Sequence, residues 1–159
     1  MSILKTQFKT ALSASSSNDI EAIGTLRFES PNKIYKWVRY VDETVTAAPG
    51  QACYYVIAGY ENSEVTADVS DSYGSSGAKA VAAGVIQGWP LHTHYCWIQI
   101  QGPSYIFTDA ALGAAGDRMV GVGSNDKGLD VNAAVTSFNA GTLTVITTGL
   151  QRYILNCPF

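Results

Sequence analysis

The chain has 159 residues, of which 47% are hydrophobic and 14% are charged, and its formal net charge is −3. This length fits one domain, and the hydrophobic content excludes an intrinsically disordered chain. The ten basic residues are scattered, which argues against a nucleic-acid-binding surface. No run approaches the ~18 apolar residues of a membrane span. We therefore expect neither nucleic acid nor a membrane as a partner.

The N-terminal segment, residues 1–22, differs from the rest because Thr, Ser, Ala and Asn dominate it. It lacks the apolar core of a signal peptide, so we expect the chain to be made in a cytoplasm. Ile3 precedes Leu4, Phe8 and Leu12, which have helical spacing, but an ASSS run would end a helix. We predict an extended arm, loose by itself, that orders against a partner through these four residues. A frayed terminus with no role is the alternative.

The remainder, residues 23–159, has the composition of a β-domain. Its first two runs, IGTLRFE and KIYKWVRYV, are rich in β-branched and aromatic residues, and Pro31-Asn32 between them suits a turn. Turn signals recur roughly every ten residues, which is typical of a sandwich or barrel. We predict a mainly β, single compact β-barrel or β-sandwich domain. Two Ala-rich stretches, 79–83 and 133–141, are candidates for short helical turns.

The stretch from Gly84 to Phe107 predicts a strand, a turn, a long aromatic strand, a Gly-Pro turn and another strand. Strand alternation divides the aromatic strand between two faces. The predicted core face carries His94, Cys96, Ile98 and Ile100. The opposite face, predicted to be a half-covered surface, carries Tyr95, Trp97, Gln99 and Gln101.

A candidate metal site is the pattern His92, His94 and Cys96, because His and Cys are ligands that zinc and copper prefer. However, Pro90 places His92 in a turn rather than on the strand. The chain has only two histidines, so a fourth ligand would have to come from an Asp or a distant cysteine. We therefore expect no metal and no other cofactor.

Catalytic groupings are not apparent. A G-x-S-x-G elbow and a phosphate-binding loop are missing, and the Asp residues stand at turns, where they commonly cap backbone groups. Cys53, Cys96 and Cys157 each lie among apolar neighbours, which predicts buried free thiols rather than a disulfide framework. We expect that the protein is not an enzyme.

The succession of GVIQG, HYCWIQIQGP, a small-residue run with AGD, and GLDV resembles the head decoration, or capsid cement, proteins of tailed bacteriophages. The resemblance covers most of the chain from Gly24 onward. It implies a barrel- or tulip-like β fold, an N-terminal arm, binding to the outside of the capsid as dimers or trimers, and no catalytic residues.

This resemblance leads us to expect a structural virion protein on the capsid exterior. Its partners would be the major capsid protein and further copies of itself, with a trimer favoured over a dimer. It would bridge neighbouring capsid subunits and stabilise the expanded head. Beyond the arm, we predict contacts through an aromatic edge, Tyr35 and Trp37, and through the loop that bears Trp89.

Two other functions remain open from the sequence. A carbohydrate- or surface-binding β-module of a phage tail or fibre would use Trp89 and Trp97 as exposed stacking residues. A small metalloenzyme would centre on His92 and His94. Aromatic residues are more often core or interface anchors than sugar platforms, so the structural protein is the primary hypothesis.

Overall fold

The computed structural model describes residues 7–29, 31–56, 63–71, 81–106, 114–120, 126–131, 140–145 and 151–157. All regular elements in these ranges are β-strands, and no helix there is long and apolar enough to cross a membrane. The strands in chain order are β1 (Ser15–Ser16), β2 (Leu26–Glu29), β3 (Lys33–Tyr40), β4 (Ala52–Tyr55), β5 (Glu64–Thr66), β6 (Ala82–Ile86), β7 (Tyr95–Ile106), β8 (Arg118–Val120), β9 (Asp130–Val131), β10 (Gly141–Val145) and β11 (Gln151–Asn156). The predicted mainly β class is confirmed.

Five strands close into a barrel. β3 pairs with β5, β5 with β4, β4 with β6, β6 with β7, and β7 returns to β3. Only the β3–β5 pairing is parallel among these. In the register that closes the barrel, Trp37 of β3 lies opposite Trp97 of β7. The predicted compact β-barrel is therefore present.

One long strand, β7, replaces the two strands and the Gly-Pro turn that the sequence predicted. Gly102 and Pro103 lie inside β7 and pair with Leu155 and Ile154 of β11. Gly102 has a φ of 90°, and a Cβ there would come within 2.1 Å of the Asn32 carbonyl oxygen. Only glycine fits this close approach, and strand pairing continues through the Gly-Pro pair. Beyond it the sheet continues from β11 through β10 and β8 to β9.

The barrel interior is filled by small and aliphatic side chains together with tyrosines. From β7 it receives Cys96, Ile98 and Ile100, all fully buried, which confirms these members of the predicted core face. The described part of the first Ala-rich stretch also lies here, since Ala82 and Ala83 belong to strand β6 and not to a helical turn. In the second stretch, residues 133–139 lie outside the described residues.

The N-terminal segment from residue 7 onward lies on the outer wall of the barrel. β1 pairs antiparallel with β7, with Ser15 opposite Cys96. The described residues of this segment contain no helix, so the spacing of Phe8 and Leu12 is not helical in origin. This placement differs from the predicted loose arm, because the wall beneath it carries aromatic side chains that need a cover.

Candidate functional site

An aromatic cluster stands on the outside of the barrel wall. Tyr35, Trp37 and Trp97 form it, and both indoles are 0% exposed, with ring centroids 5.2 Å apart. Burial, followed by the negative charge of Glu29, raises the pKa of Tyr35. Tyr35 and Trp37, which the sequence predicted as an aromatic edge that contacts a partner, are therefore buried within the chain itself. Alternation predicted that Trp97 stands on a half-covered face of β7, but the chain itself covers Trp97 completely.

The cover comes from the predicted arm. Phe8 and Leu12 pack on the aromatic cluster, and the Phe8 ring meets Trp97 edge-on at a centroid distance of 5.6 Å. Trp97 Nε1 donates a hydrogen bond of 2.9 Å to Thr10 Oγ1, and Trp37 Nε1 donates one of 2.9 Å to Asp19 Oδ1. Phe8 and Leu12 thus make their contacts within the chain. Ile3 and Leu4, the other predicted contact residues of the arm, lie outside the described residues.

Arg27 joins this cover to strand β2. Its guanidinium lies 4.9 Å from the Phe8 ring centroid and 5.8 Å from that of Trp97, within cation–π range. It also donates a 3.0 Å hydrogen bond to the Thr10 carbonyl and forms a 2.5 Å ion pair with Glu29. Both indole N–H groups and the Arg27 guanidinium thus have protein partners, which indicates a structural role for the cluster.

The turn between β6 and β7 presents two large and exposed apolar side chains. Trp89 is 69% exposed and Leu91 is 64% exposed. The turn is held in place because the His94 N–H donates to the Leu91 carbonyl at 3.0 Å. Gly88 also passes so close to residue 13 that a Cβ would meet the Ser13 carbonyl oxygen at 2.8 Å. Trp89, which the sequence predicted to be a contact residue, is therefore accessible.

The candidate metal ligands do not converge. His92 lies in the turn, as Pro90 indicated, and its Nε2 is 3.4 Å from a carboxylate oxygen of Glu43. His94 Nδ1 is 3.0 Å from Ser15 Oγ, whereas the Cys96 thiol is buried inside the barrel. In the part of the chain that the structure describes, no group of three His, Cys, Asp or Glu side chains could hold a metal ion.

A buried carboxylate, Asp42, lies in the segment that follows β3, and no sequence pattern singled it out. It accepts hydrogen bonds from the N–H groups of Val45 at 2.8 Å and Asp68 at 3.1 Å, and from the Thr66 hydroxyl at 2.7 Å. Burial by itself would raise the pKa of Asp42, but the hydrogen bonds, that from Val45 first, outweigh burial and lower it. Because Asp42 accepts hydrogen bonds from both the loop that follows β3 and the loop that follows β5, it holds these two loops together as a brace.

A second exposed apolar feature lies on β2, at the edge of the sheet. Phe28 is 69% exposed, as much as Trp89, and neighbours an open groove of about 490 Å³ that is also lined by Pro31 and Ile34. Phe28 was not among the residues predicted to contact a partner. The signal available was its position between two oppositely charged residues, Arg27 and Glu29, in a short strand beside a turn.

Comparison with models of known protein families finds no match for this chain. Comparison with curated proteins finds none either.

Proposed function

We propose that this protein is a structural virion protein that binds the outer surface of a tailed-phage capsid and bridges neighbouring major capsid protein subunits. The observation that carries the proposal is the exposed turn between β6 and β7. There Trp89 and Leu91 are 69% and 64% exposed on a backbone held by hydrogen bonding and close packing. Large apolar side chains on a rigid turn are the kind of anchor that protein interfaces use.

Two further considerations support a binding role over catalysis. The resemblance to phage decoration proteins involves the same region, since GVIQG and HYCWIQIQGP flank the Trp89 turn. In addition, the polar side chains in the described residues serve mainly to hold the fold. Asp42 braces loops and His94 lies at hydrogen-bonding distance from Ser15, so neither is left directed at a substrate.

Within the arm, we propose that only the first six residues contact the capsid. Residues 7–22 complete the barrel by covering Trp37 and Trp97, so they belong to its body. Ile3 and Leu4 remain the candidates for reaching a neighbouring capsid subunit. An apolar segment that adds to an exposed sheet edge of its partner gains main-chain hydrogen bonds, and many copies on a shell gain avidity.

Co-sedimentation with expanded, genome-free phage heads tests the proposal. We expect saturable binding by the full chain. Binding by the double variant Trp89→Ser, Leu91→Ser should be at least about tenfold weaker, because each substitution removes an apolar side chain that would be buried against the capsid. Deletion of residues 1–6 tests the arm separately and leaves the cover over Trp97 intact. Tyr105→Ser is the control, because Tyr105 is also exposed but lies on β7, away from the turn. Absence of binding by the full chain would refute the proposal.

A carbohydrate-binding module is the second candidate, and exposed Trp89 is the observation that favours it. Trp97, the other stacking residue expected from the sequence, is fully buried and drops out of this alternative. Glycan-array binding that disappears with Trp89→Ala, together with failure to bind phage heads, would favour this function over capsid decoration. Aromatic stacking against a sugar ring needs only one accessible indole face.

A further inference from the structure

Strand β2 is an edge strand. Among the described strands it pairs only with β3, and it stands at the end of the sheet order. An open edge presents main-chain N–H and C=O groups that can pair with another strand. Natural proteins usually protect such an edge with charged side chains pointing along it. Here the two charged residues, Arg27 and Glu29, are ion-paired to each other, and the residue between them is Phe28.

Hydrogen-bond alternation identifies which groups of β2 face outward. The Trp37 N–H donates to the Thr25 carbonyl at 2.9 Å, so the backbone groups of Thr25 face β3. Because hydrogen-bonding residues alternate along an antiparallel strand, the backbone N–H and C=O groups of Arg27 and Glu29 face β3 as well. Leu26 and Phe28 therefore direct their N–H and C=O groups away from β3. The open edge thus offers main-chain donors and acceptors at the position of the 69% exposed Phe28 ring.

We propose that two copies of this chain associate by antiparallel pairing of their β2 strands about a two-fold axis through Phe28. Phe28 then lies opposite Phe28 of the second copy as a hydrogen-bonded pair, and the two barrels share a continuous sheet. A two-fold axis suits this edge because the same strand supplies both sides of the contact. A role for this dimer on a capsid rests on the proposed function. The dimer itself is tested without capsids, so the dimer and the capsid-binding function can fail independently of each other.

Charge complementarity selects the second copy and the register. With the axis through Phe28, Arg27 of each chain lies opposite Glu29 of the other, and opposite charges across neighbouring strands stabilise the pairing. Within each chain Arg27 already forms an ion pair with Glu29 at 2.5 Å. In the dimer these two ion pairs lie side by side, with the positive charge of each chain next to the negative charge of the other. An axis shifted by one residue would instead place Arg27 opposite Arg27. The groove beside Phe28 leaves room for an aromatic ring from the second chain.

Disulfide trapping tests the register directly. Residues opposite each other in a hydrogen-bonded antiparallel pair have Cα atoms about 5.5 Å apart, within the range of about 4.4–6.8 Å that a disulfide spans. Under mild oxidation by diamide we expect Phe28→Cys to give a cross-linked dimer on a non-reducing gel. The native cysteines are buried and do not compete. Trp89→Cys is the matched control, since Trp89 has the same exposure, and it should cross-link at least about tenfold more slowly.

Mass measurement across a concentration series tests the pairing without a new thiol. We expect the wild-type chain to reach twice its 16.9 kDa mass by sedimentation equilibrium. Phe28→Pro removes an N–H that faces away from β3, so it spares the fold but removes both hydrogen bonds of the Phe28 pair. The dimer dissociation constant should rise about 100-fold. Phe28→Lys and Glu29→Arg should weaken the dimer by repulsion and leave every backbone group in place. Trp89→Ser should leave it unchanged.

Three results would overturn the inference. A wild-type chain that stays monomeric at about 100 μM would show that the edge does not pair with itself at concentrations where strand-edge dimers form. Equal cross-linking of Phe28→Cys and Trp89→Cys would show random collision instead of pairing. A dimer or trimer that survives both Phe28→Lys and Glu29→Arg would place the self-contact on another surface.

Discussion

The two sides of the barrel wall bury their side chains by different means. Inside, Cys96, Ile98 and Ile100 of β7 are enclosed by the other barrel strands, whose main chains pair around them. Outside, Trp97 on the same strand is equally buried, but the cover is an irregular segment that is fixed by side-chain contacts from Phe8 and Thr10. Adjacent residues of one strand therefore depend on two separate sets of interactions.

This difference shows that a β-barrel can have a second apolar cluster on its outer face, provided that the cover satisfies the polar atoms it buries. An indole N–H without an acceptor would cost free energy on burial, and Thr10 and Asp19 supply the two acceptors here. The interior needs little such help because its side chains are mostly apolar. We expect mutations to separate the two regions by the kind of interaction that they remove.

The largest expected effect comes from Trp97→Ala, which removes the centre of the outer cluster. The free energy of unfolding should fall by about 3–5 kcal/mol, because the change leaves a cavity and deprives Phe8 and Trp37 of their contacts. Urea unfolding followed by far-ultraviolet circular dichroism measures it. Trp89→Ala is the control and should change stability by less than about 0.5 kcal/mol. Equal losses in both variants would contradict the burial of Trp97.

A smaller loss of stability is expected from Asp42→Asn, which weakens the hydrogen bonds that hold together the loops after β3 and β5. At pH 7 stability should fall by about 2–3 kcal/mol, since a carboxylate that accepts several hydrogen bonds becomes an amide with one acceptor. The hydrogen bonds hold the folded-state pKa of Asp42 below its unfolded value, so the stability that Asp42 contributes is present above the unfolded pKa and is lost as pH falls through the folded pKa.

Urea unfolding of the wild-type chain and Asp42→Asn across pH 2–7 measures this contribution. The stability difference between the two should be constant near neutral pH and should shrink below about pH 4. Asp68→Asn is the matched control for the substitution itself, because it makes the same chemical change at a neighbouring, more exposed carboxylate that accepts a hydrogen bond from Ser70. A difference that grows as the pH falls would contradict the direction of the Asp42 shift.

Thr10→Val should lower the free energy of unfolding by about 1–2 kcal/mol. The substitution changes only the segment that covers the outer aromatic cluster. Valine has the shape of threonine, so the loss consists of the acceptor for the Trp97 indole N–H and of the hydrogen bond that the Thr10 hydroxyl donates to Glu21. Thermal unfolding measures the loss, and hydrogen exchange of that indole proton should become faster. Thr10→Ser keeps the hydroxyl and should retain slow exchange. Unchanged exchange in Thr10→Val would show that the hydrogen bond does not protect the indole.

The smallest signal is expected from thiol labelling of the folded chain, which reports on the interior alone. Cys53, Cys96 and Cys157 are buried and free, as the sequence predicted. Burial raises the pKa of Cys96 and of Cys157 to about 12, so very little thiolate exists at pH 8. We expect no reaction with a thiol reagent in native buffer and reaction of all three after denaturation. Rapid native labelling of any one would contradict its enclosure in the barrel.

Much of the candidate site was predictable as a set of local features. Pro90 correctly indicated a turn that contains His92, and Asn32 has the left-handed φ of 56° that its turn position suggested. The exposure of Trp89 agrees with its place in that turn. Phe28 was missed because the exposure of an edge residue depends on which strand lies beside it. The burial of Trp37 was missed because its cover comes from a segment that carries no strand pattern.

The order of amino acids alone determines the β class and the two-faced character of β7, because alternation and turn chemistry act between residues close in the chain. Only the tertiary structure decides that β7 closes on β3, that β7 continues through Gly102, and that residues 7–22 cover the outer indoles. Those outcomes depend on contacts between distant residues, such as Thr10 and Trp97, which are 87 positions apart. A periodic pattern predicts that a face must be covered, but it contains no information about which segment covers it.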